Sequence, residues 1–311
     1  MILQTRVDTG RLEHGFGYDD RIMFLGSCFA DEIGRRCKDL WLDVSVNPFG
    51  VLFNPCSIAD SLALLEDSKL FTKADVMETP VGFCSLYHHT SFARPTAVEF
   101  LDNANKALGK ARRCYSSAKW VVITLGTSFI YRHKVSGIVA ANCLKLSQKI
   151  FERVMITPEV VYESLLPFVN SDRNRQWIFT VSPVRHLADG LHQNQLSKAV
   201  LHLGIDRIVA ECANAHYFPA YEILIDELRD YRFYAEDMAH PSSQAVNHIF
   251  DRFMEYGLKR GDAELLERAR RIEAMMLHHP LIPGSSQALE FERIRNETLS
   301  DFLRKIGRDS K

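Results

Sequence analysis

The chain has 311 residues, 46% hydrophobic and 25% charged, with a formal net charge of −1. That composition gives a globular protein with apolar residues for one large domain or two small ones. It lacks the basic surface that non-specific nucleic-acid binding needs. No run of about 18 apolar residues suits a membrane span, and Met1–Arg6 has no apolar signal core. The reading is a soluble, cytoplasmic protein with no nucleic-acid partner.

The first apolar run, Ile22–Leu25, reads as a buried parallel strand. Gly26-Ser27 follows as a turn, and Phe29, Ile33, Cys37 and Leu40 then repeat at helical spacing. A second short strand, Asp43–Val46, ends at Asn47-Pro48. Residues 51–118 are too long for a simple crossover and read as an insertion. It is expected to hold a helix over 57–66 capped by Ser57, an extended or hairpin piece around 81–92, and a helix over 96–116. Trp120–Leu125 and Trp177–Val181 give the third and fourth strands, and His216–Phe218 a fifth. Between the last two, 193–213 reads as a helix with Leu196, Ala199, Val200, Leu203, Ile205 and Ile208 as its apolar face. Ser242 or Ser243 caps a helix carrying Val246, Ile249, Phe250 and Phe253. Two further helical patterns, 262–276 and 291–306, flank a breaker segment at 279–286.

Strands alternating with helices predict an α/β fold with a parallel sheet. The predicted organisation is one α/β domain over 1–258, with the insertion at 51–118, and a helical extension over 259–311 packed on it. Ligands of such sheets bind beyond the carboxyl ends of the strands. Ser27, Gly126 and Ser182 fall on that edge.

Seven cysteines, at 28, 37, 56, 84, 114, 143 and 212, form no C-x-x-C pair. They read as reduced thiols rather than a disulfide framework or a zinc site, and no metal or other cofactor is expected. Cys28 stands apart because it adjoins Ser27. A serine between a strand and a helix has unpaired backbone amides beside it that favour negative charge. Such a nucleophile needs a base and a group that orients the base. Asp237-x-x-His240 supplies both from one tight turn. Zincin, P-loop and dinucleotide-binding strings are absent, as is the G-x-S-x-G elbow.

The order of these blocks resembles the SGNH (GDSL-like) hydrolases. More closely, Gly26-Ser27-Cys28-Phe29-Ala30 resembles the GSCFA domain family, with further similar segments at 47–50, 124–127, 182–186, 217–222 and 237–241. The resemblance covers roughly residues 15–255. It implies a three-layer α/β/α sandwich with a five-stranded parallel sheet, and ester chemistry. Carried over by position, Ser27 matches the nucleophile, with its own amide as an oxyanion donor, and Asp237 and His240 match the last block. Gly50 falls where an oxyanion-hole glycine is placed, and Gly126 matches the third-block glycine. Two departures stand out. The first block reads Gly-Ser-Cys, so Cys28 is the alternative nucleophile. The third block lacks its asparagine, leaving Ser128 or Asn47 as replacement donors. Arg185 would hold an anionic substrate group or tie loops together; His186 and His89 are further candidates to contact substrate.

The leading expectation is a metal-independent serine esterase acting on a small-molecule or glycan ester, or a thioester. An acyltransferase with the same residues and a catalytically weak binding protein are the alternatives. Substrate, acyl length and oligomeric state are not encoded legibly.

Overall fold

A computed structural model describes residues 4–308. In chain order the chain forms β1 (Arg21–Gly26), α1 (Cys28–Asp39), β2 (Asp43–Val46), α2 (Pro55–Glu66), β3 (Met77–Thr79), β4 (Gly82–Cys84), α3 (Ala97–Ser117) and β5 (Trp120–Leu125). Next come β6 (Phe129–His133), β7 (Phe151–Met155), α4 (Pro158–Ser171), β8 (Gln176–Val181), α5 (Leu191–Glu211) and β9 (Ala215–Tyr217). Helix α6 (Ala220–Glu222) runs on as a π-helical stretch, Ile223–Leu228, and α7 (Ser243–Gly257), α8 (Ala263–Leu277) and α9 (Ser286–Lys305) complete the fold.

The main sheet is parallel throughout, in the order β2-β1-β5-β8-β9. Side chains alternate between its faces, and both faces are covered. Met23, Leu25, Val121, Ile123, Trp177 and Phe179 enter one core with α2, α3, α4 and α5. Ile22, Phe24, Trp120, Val122 and Ile178 enter the other with α1, α7, α8 and α9. The apolar runs are continuous because neither face meets water. The result is the expected three-layer α/β sandwich. Phe302 of α9, 0% exposed, meets Tyr18 and Trp41 edge-on at 5.7 Å each, which holds the last helices to the second core.

The strand order reverses direction between β1 and β5. Sheets of this kind bind their ligands at such a reversal, beyond the carboxyl ends of the strands; Ser27 and Cys28 follow β1, and Gly126 follows β5.

Three local expectations are corrected. The first insertion helix starts at Pro55, and its cap is Asn54, whose side chain accepts from the Ser57 amide at 2.8 Å; proline at the first helical position needs no N–H acceptor. The buried face of α5 is rotated from the expected one. It runs through Asn194, Ser197, Lys198, Leu201, Gly204, Ile205 and Ile208, while Leu196 and Leu203 are exposed. Residues 127–175, where no element was expected, form the β6–β7 hairpin and α4.

Candidate active site

The turn after β1 is fixed by close backbone packing. Gly26 has φ +141°, and a Cβ there would lie 2.2 Å from the Thr124 carbonyl oxygen, so only glycine fits. Its N–H donates to Asn47 Oδ1 at 2.8 Å. The next amide, Ser27 N–H, donates to the Thr124 carbonyl at 3.1 Å, crossing from β1 to β5.

Ser27 is 1% exposed and caps α1, its Oγ accepting from the Phe29 amide at 3.3 Å. The amide that the resemblance assigned to the oxyanion is the one spent on Thr124. Ser27 and His240 share no hydrogen bond among the described residues. Cys28, the first residue of α1, is only partly buried. It lines a cleft of about 310 Å³ together with His240, Val184, Pro241 and Val246. Burial, then the charge of Asp31, pushes the Cys28 thiol above its ordinary value; the amides of Phe29 and Cys28 and the Lys198 ammonium pull it back. The helix-start amides thus offset part of the burial cost, and the net effect keeps Cys28 as a thiol.

The opposite wall is the turn 235–240. Asp237 Oδ1 accepts from the amides of Ala239 and His240, both at 2.9 Å, and Met238 takes φ +55° to allow it. This leaves Asp237 Oδ2 2.6 Å from His240 Nδ1. The His240 amide, then its ring and the Ala239 amide, hold the Asp237 carboxyl below the usual carboxylate range. An Nδ1 proton held by a carboxylate fixes the tautomer and leaves Nε2 as the basic nitrogen.

Arg185 is half-buried and engaged with this turn. Its N–H donates to the Ala239 carbonyl at 3.0 Å, its guanidinium donates to the Met238 carbonyl, and it stacks over the Tyr234 ring at 4.1 Å. Of its two expected roles, the geometry is that of a loop tie. His186 donates its amide to Asn194 Oδ1 at 3.0 Å, and burial, aided by Lys198, pushes its imidazole down to about 4.

Several expected donors are committed elsewhere. The Gly50 amide donates to the Asn47 carbonyl at 2.8 Å, so it closes a turn instead of facing the cleft. Asn47 takes φ +40° and is 8% exposed; its Nδ2 donates to Asp31 Oδ1 at 2.6 Å. Ser128 is 0% exposed, and its amide and hydroxyl both donate to Ser197 Oγ, at 2.8 and 3.1 Å. The Gly126 amide donates to the Phe53 carbonyl at 2.8 Å. His89 donates its amide to the Phe49 carbonyl at 3.0 Å, and a Cβ on Gly50 would come within 2.4 Å of its own Cβ. The insertion thus clamps the 47–50 turn through His89.

A model of the GSCFA family matches residues 21–253, three quarters of the chain. The chain belongs to the GSCFA family. No curated protein and no solved structure matches it. The matched span begins with β1 and ends within α7, so it contains Cys28, Asp237 and His240 and leaves out α8 and α9.

Sequence reasoning missed two charged residues that bond to the segments of the candidate site. Asp31, one turn into α1, bears on both Asn47 and the Cys28 thiol. Lys198, 1% exposed, donates to the carbonyls of Gly126 at 2.7 Å and Ser182 at 2.8 Å. The signal for Lys198 was its place three and seven residues before Leu201 and Ile205, on the buried stripe of α5. No helix among the described residues is long and apolar enough to cross a membrane.

Proposed function

We propose that this chain is an acyl-ester or thioester hydrolase of the SGNH type that works through Cys28, His240 and Asp237. The observation that carries this reading is the cleft with Cys28 on one wall and an Asp237-oriented His240 on the other. Ser27, expected as the nucleophile, is assigned the role of helix cap, because its hydroxyl is buried and already accepts the Phe29 amide.

In this mechanism the Cys28 thiol gives its proton to His240 Nε2, and the thiolate attacks the acyl carbon. The leaving alkoxide or thiolate takes the proton back from His240. A water then attacks the thioester, giving its proton to His240, and the acid leaves as Cys28 Sγ is reprotonated. Asp237 stays ionised and holds the imidazole in one tautomer. The Cys28 amide, without an acceptor inside its helix, is the backbone donor nearest the developing oxyanion.

The thioester intermediate favours the second reading, an acyltransferase, since a thioester remains activated toward a hydroxyl or amine acceptor. The substrate is a small-molecule or glycan ester, and the unpaired state of all seven cysteines fits a reducing, cytoplasmic setting.

The test is turnover of short-chain acyl esters and thioesters by the Cys28→Ala and Ser27→Ala variants. Cys28→Ala is expected to lose at least roughly a thousandfold, and Ser27→Ala only a few-fold. The reverse order would return the nucleophile to Ser27. Ligand-induced stabilisation with no turnover by any version would make the chain a binding protein.

A further inference from the structure

β2 is an edge strand: β1 pairs with one side of it, and among the described residues no strand pairs with the other. The Asn47 amide donates to the Phe24 carbonyl at 2.9 Å, which fixes the phase of the parallel ladder. In that phase Ser45 bonds to β1, and the N–H and C=O groups of Val44 and Val46 point away from it. Among the described residues no backbone group takes them. An open edge of this kind is a template for one more strand.

A groove of about 870 Å³ runs along this edge, from Asp43 to Pro48. β2 forms its floor, and all four residues of the strand are half-buried. Helices α1 and α3 pack on opposite faces of the sheet and form the two walls. On the α3 side, Ala107, Ala111 and Cys114 have short side chains that leave the edge open to a chain about 4.8 Å from β2.

The anions of the groove are engaged. Arg21 takes Asp43 at 2.9 Å, Arg35 and Arg36 take Glu32 at 2.7 Å each, and Asn47 Nδ2 donates to Asp31 at 2.6 Å. Lys38, Lys110 and Arg113 also line the groove, are exposed, and form no ion pair among the described residues. The open edge is therefore flanked by surplus positive charge.

We propose that this groove binds an extended acidic peptide segment of a partner protein, which adds to β2 as a sixth strand of the main sheet. The edge offers donors and acceptors in alternation. A peptide backbone matches both, whereas an isolated carboxylate meets only the donors. The three cations select acidic side chains on the added strand. They also exclude a second copy of this chain, because two β2 edges joined about a two-fold axis would set the same cations against each other. The groove meets the cleft at Glu32 and Arg35, which line both. The inference does not depend on the chemistry performed in the cleft.

The probe is a capped, fluorescein-labelled ten-residue peptide of alternating glutamate and valine, titrated with the full-length protein and read by fluorescence anisotropy. Saturable binding is expected, with residues 43–47 gaining hydrogen-exchange protection in the complex. Lys110→Glu combined with Arg113→Glu, both at exposed positions of α3, is expected to weaken binding at least roughly tenfold. Val44→Pro removes an outward N–H that the sheet does not use, a change an edge strand tolerates. It is expected to weaken binding about two- to tenfold. A peptide with lysine in place of glutamate is expected not to bind. Absence of saturable binding to the folded wild type up to about 1 mM would overturn the proposal. Equal binding by the charge-reversed protein, or binding without protection over 43–47, would overturn it too. Full displacement by inorganic phosphate at constant ionic strength would make the groove an anion site instead. Protection of 43–47 that grows with the concentration of the unliganded chain would make a second copy the occupant.

Discussion

The two walls of the cleft are built in opposite ways. The turn 26–28 is buried and fixed by neighbours far away in sequence: Gly26 to Asn47, Ser27 to Thr124, and the Gly26 carbonyl to the Leu52 amide. The turn 235–240 is half-exposed and fixed mainly by itself, through Asp237 and the Ala235 amide bonded to the His240 carbonyl, with Arg185 as its chief outside tie. In the proposed mechanism each wall has its own task. The proposed nucleophile would be held rigidly at the sheet edge, where its position is set by strand register. The proposed base would stand on a local turn whose geometry depends on one carboxylate and can adjust as substrate enters.

The most disruptive test of this contrast is Asp237→Asn. The amide oxygen can still accept from Ala239 and His240, so the turn survives, but Nδ1 of His240 loses its anionic partner. Acyl-ester turnover is expected to fall by about 10²–10⁴-fold, with melting temperature little changed, and circular dichroism alongside steady-state kinetics checks both. Arg185→Met comes next. It removes the outside tie of the turn and is expected to lower kcat about tenfold while Cys28 alkylation stays at the wild-type rate. Loss of alkylation in that variant would mean that the two walls are not independent.

A smaller effect reports on the rigid wall through pH. His88, in the insertion behind the 47–50 turn, is 0% exposed, is bonded to Ser85 Oγ at 2.7 Å, and is pushed down to about 3 by burial. The unfolded chain, with an ordinary histidine near 6.5, binds the extra proton first. Stability is therefore full above about pH 6.5 and is lost as pH falls from there toward 3. His88→Leu is expected to flatten that part of the melting-temperature profile. An equally steep acid decline in the variant would place the labile group elsewhere. The smallest effect is that of Ser27→Ala, which removes a helix cap and is expected to cost about 1 kcal/mol by denaturant unfolding.

The sheet was legible because its strands are buried on both faces and read as unbroken apolar runs from Ile22, Trp120 and Trp177. The hairpin β6–β7 was not, because Glu152–Met155 are exposed and carry no apolar run. The contact of Asp237 with His240 was legible from a three-residue spacing that a tight turn enforces. The roles of Gly50 and Ser128 were not, since the partner that claims each amide lies in the folded backbone or on a distant helix. Lys198 was hidden for a different reason. The apolar pattern of α5 was read through Leu196 and Leu203, but its N-terminal half buries Asn194, Ser197 and Lys198, polar side chains that support the site. A helix stripe that serves a site does not look apolar.

The most direct test of the central claim is the mass and site of the acyl adduct formed when the full-length protein meets p-nitrophenyl acetate. The account predicts one acetyl group per chain, carried by Cys28 and removed by neutral hydroxylamine, as a thioester is. A hydroxylamine-resistant acetyl group carried by Ser27 would contradict it.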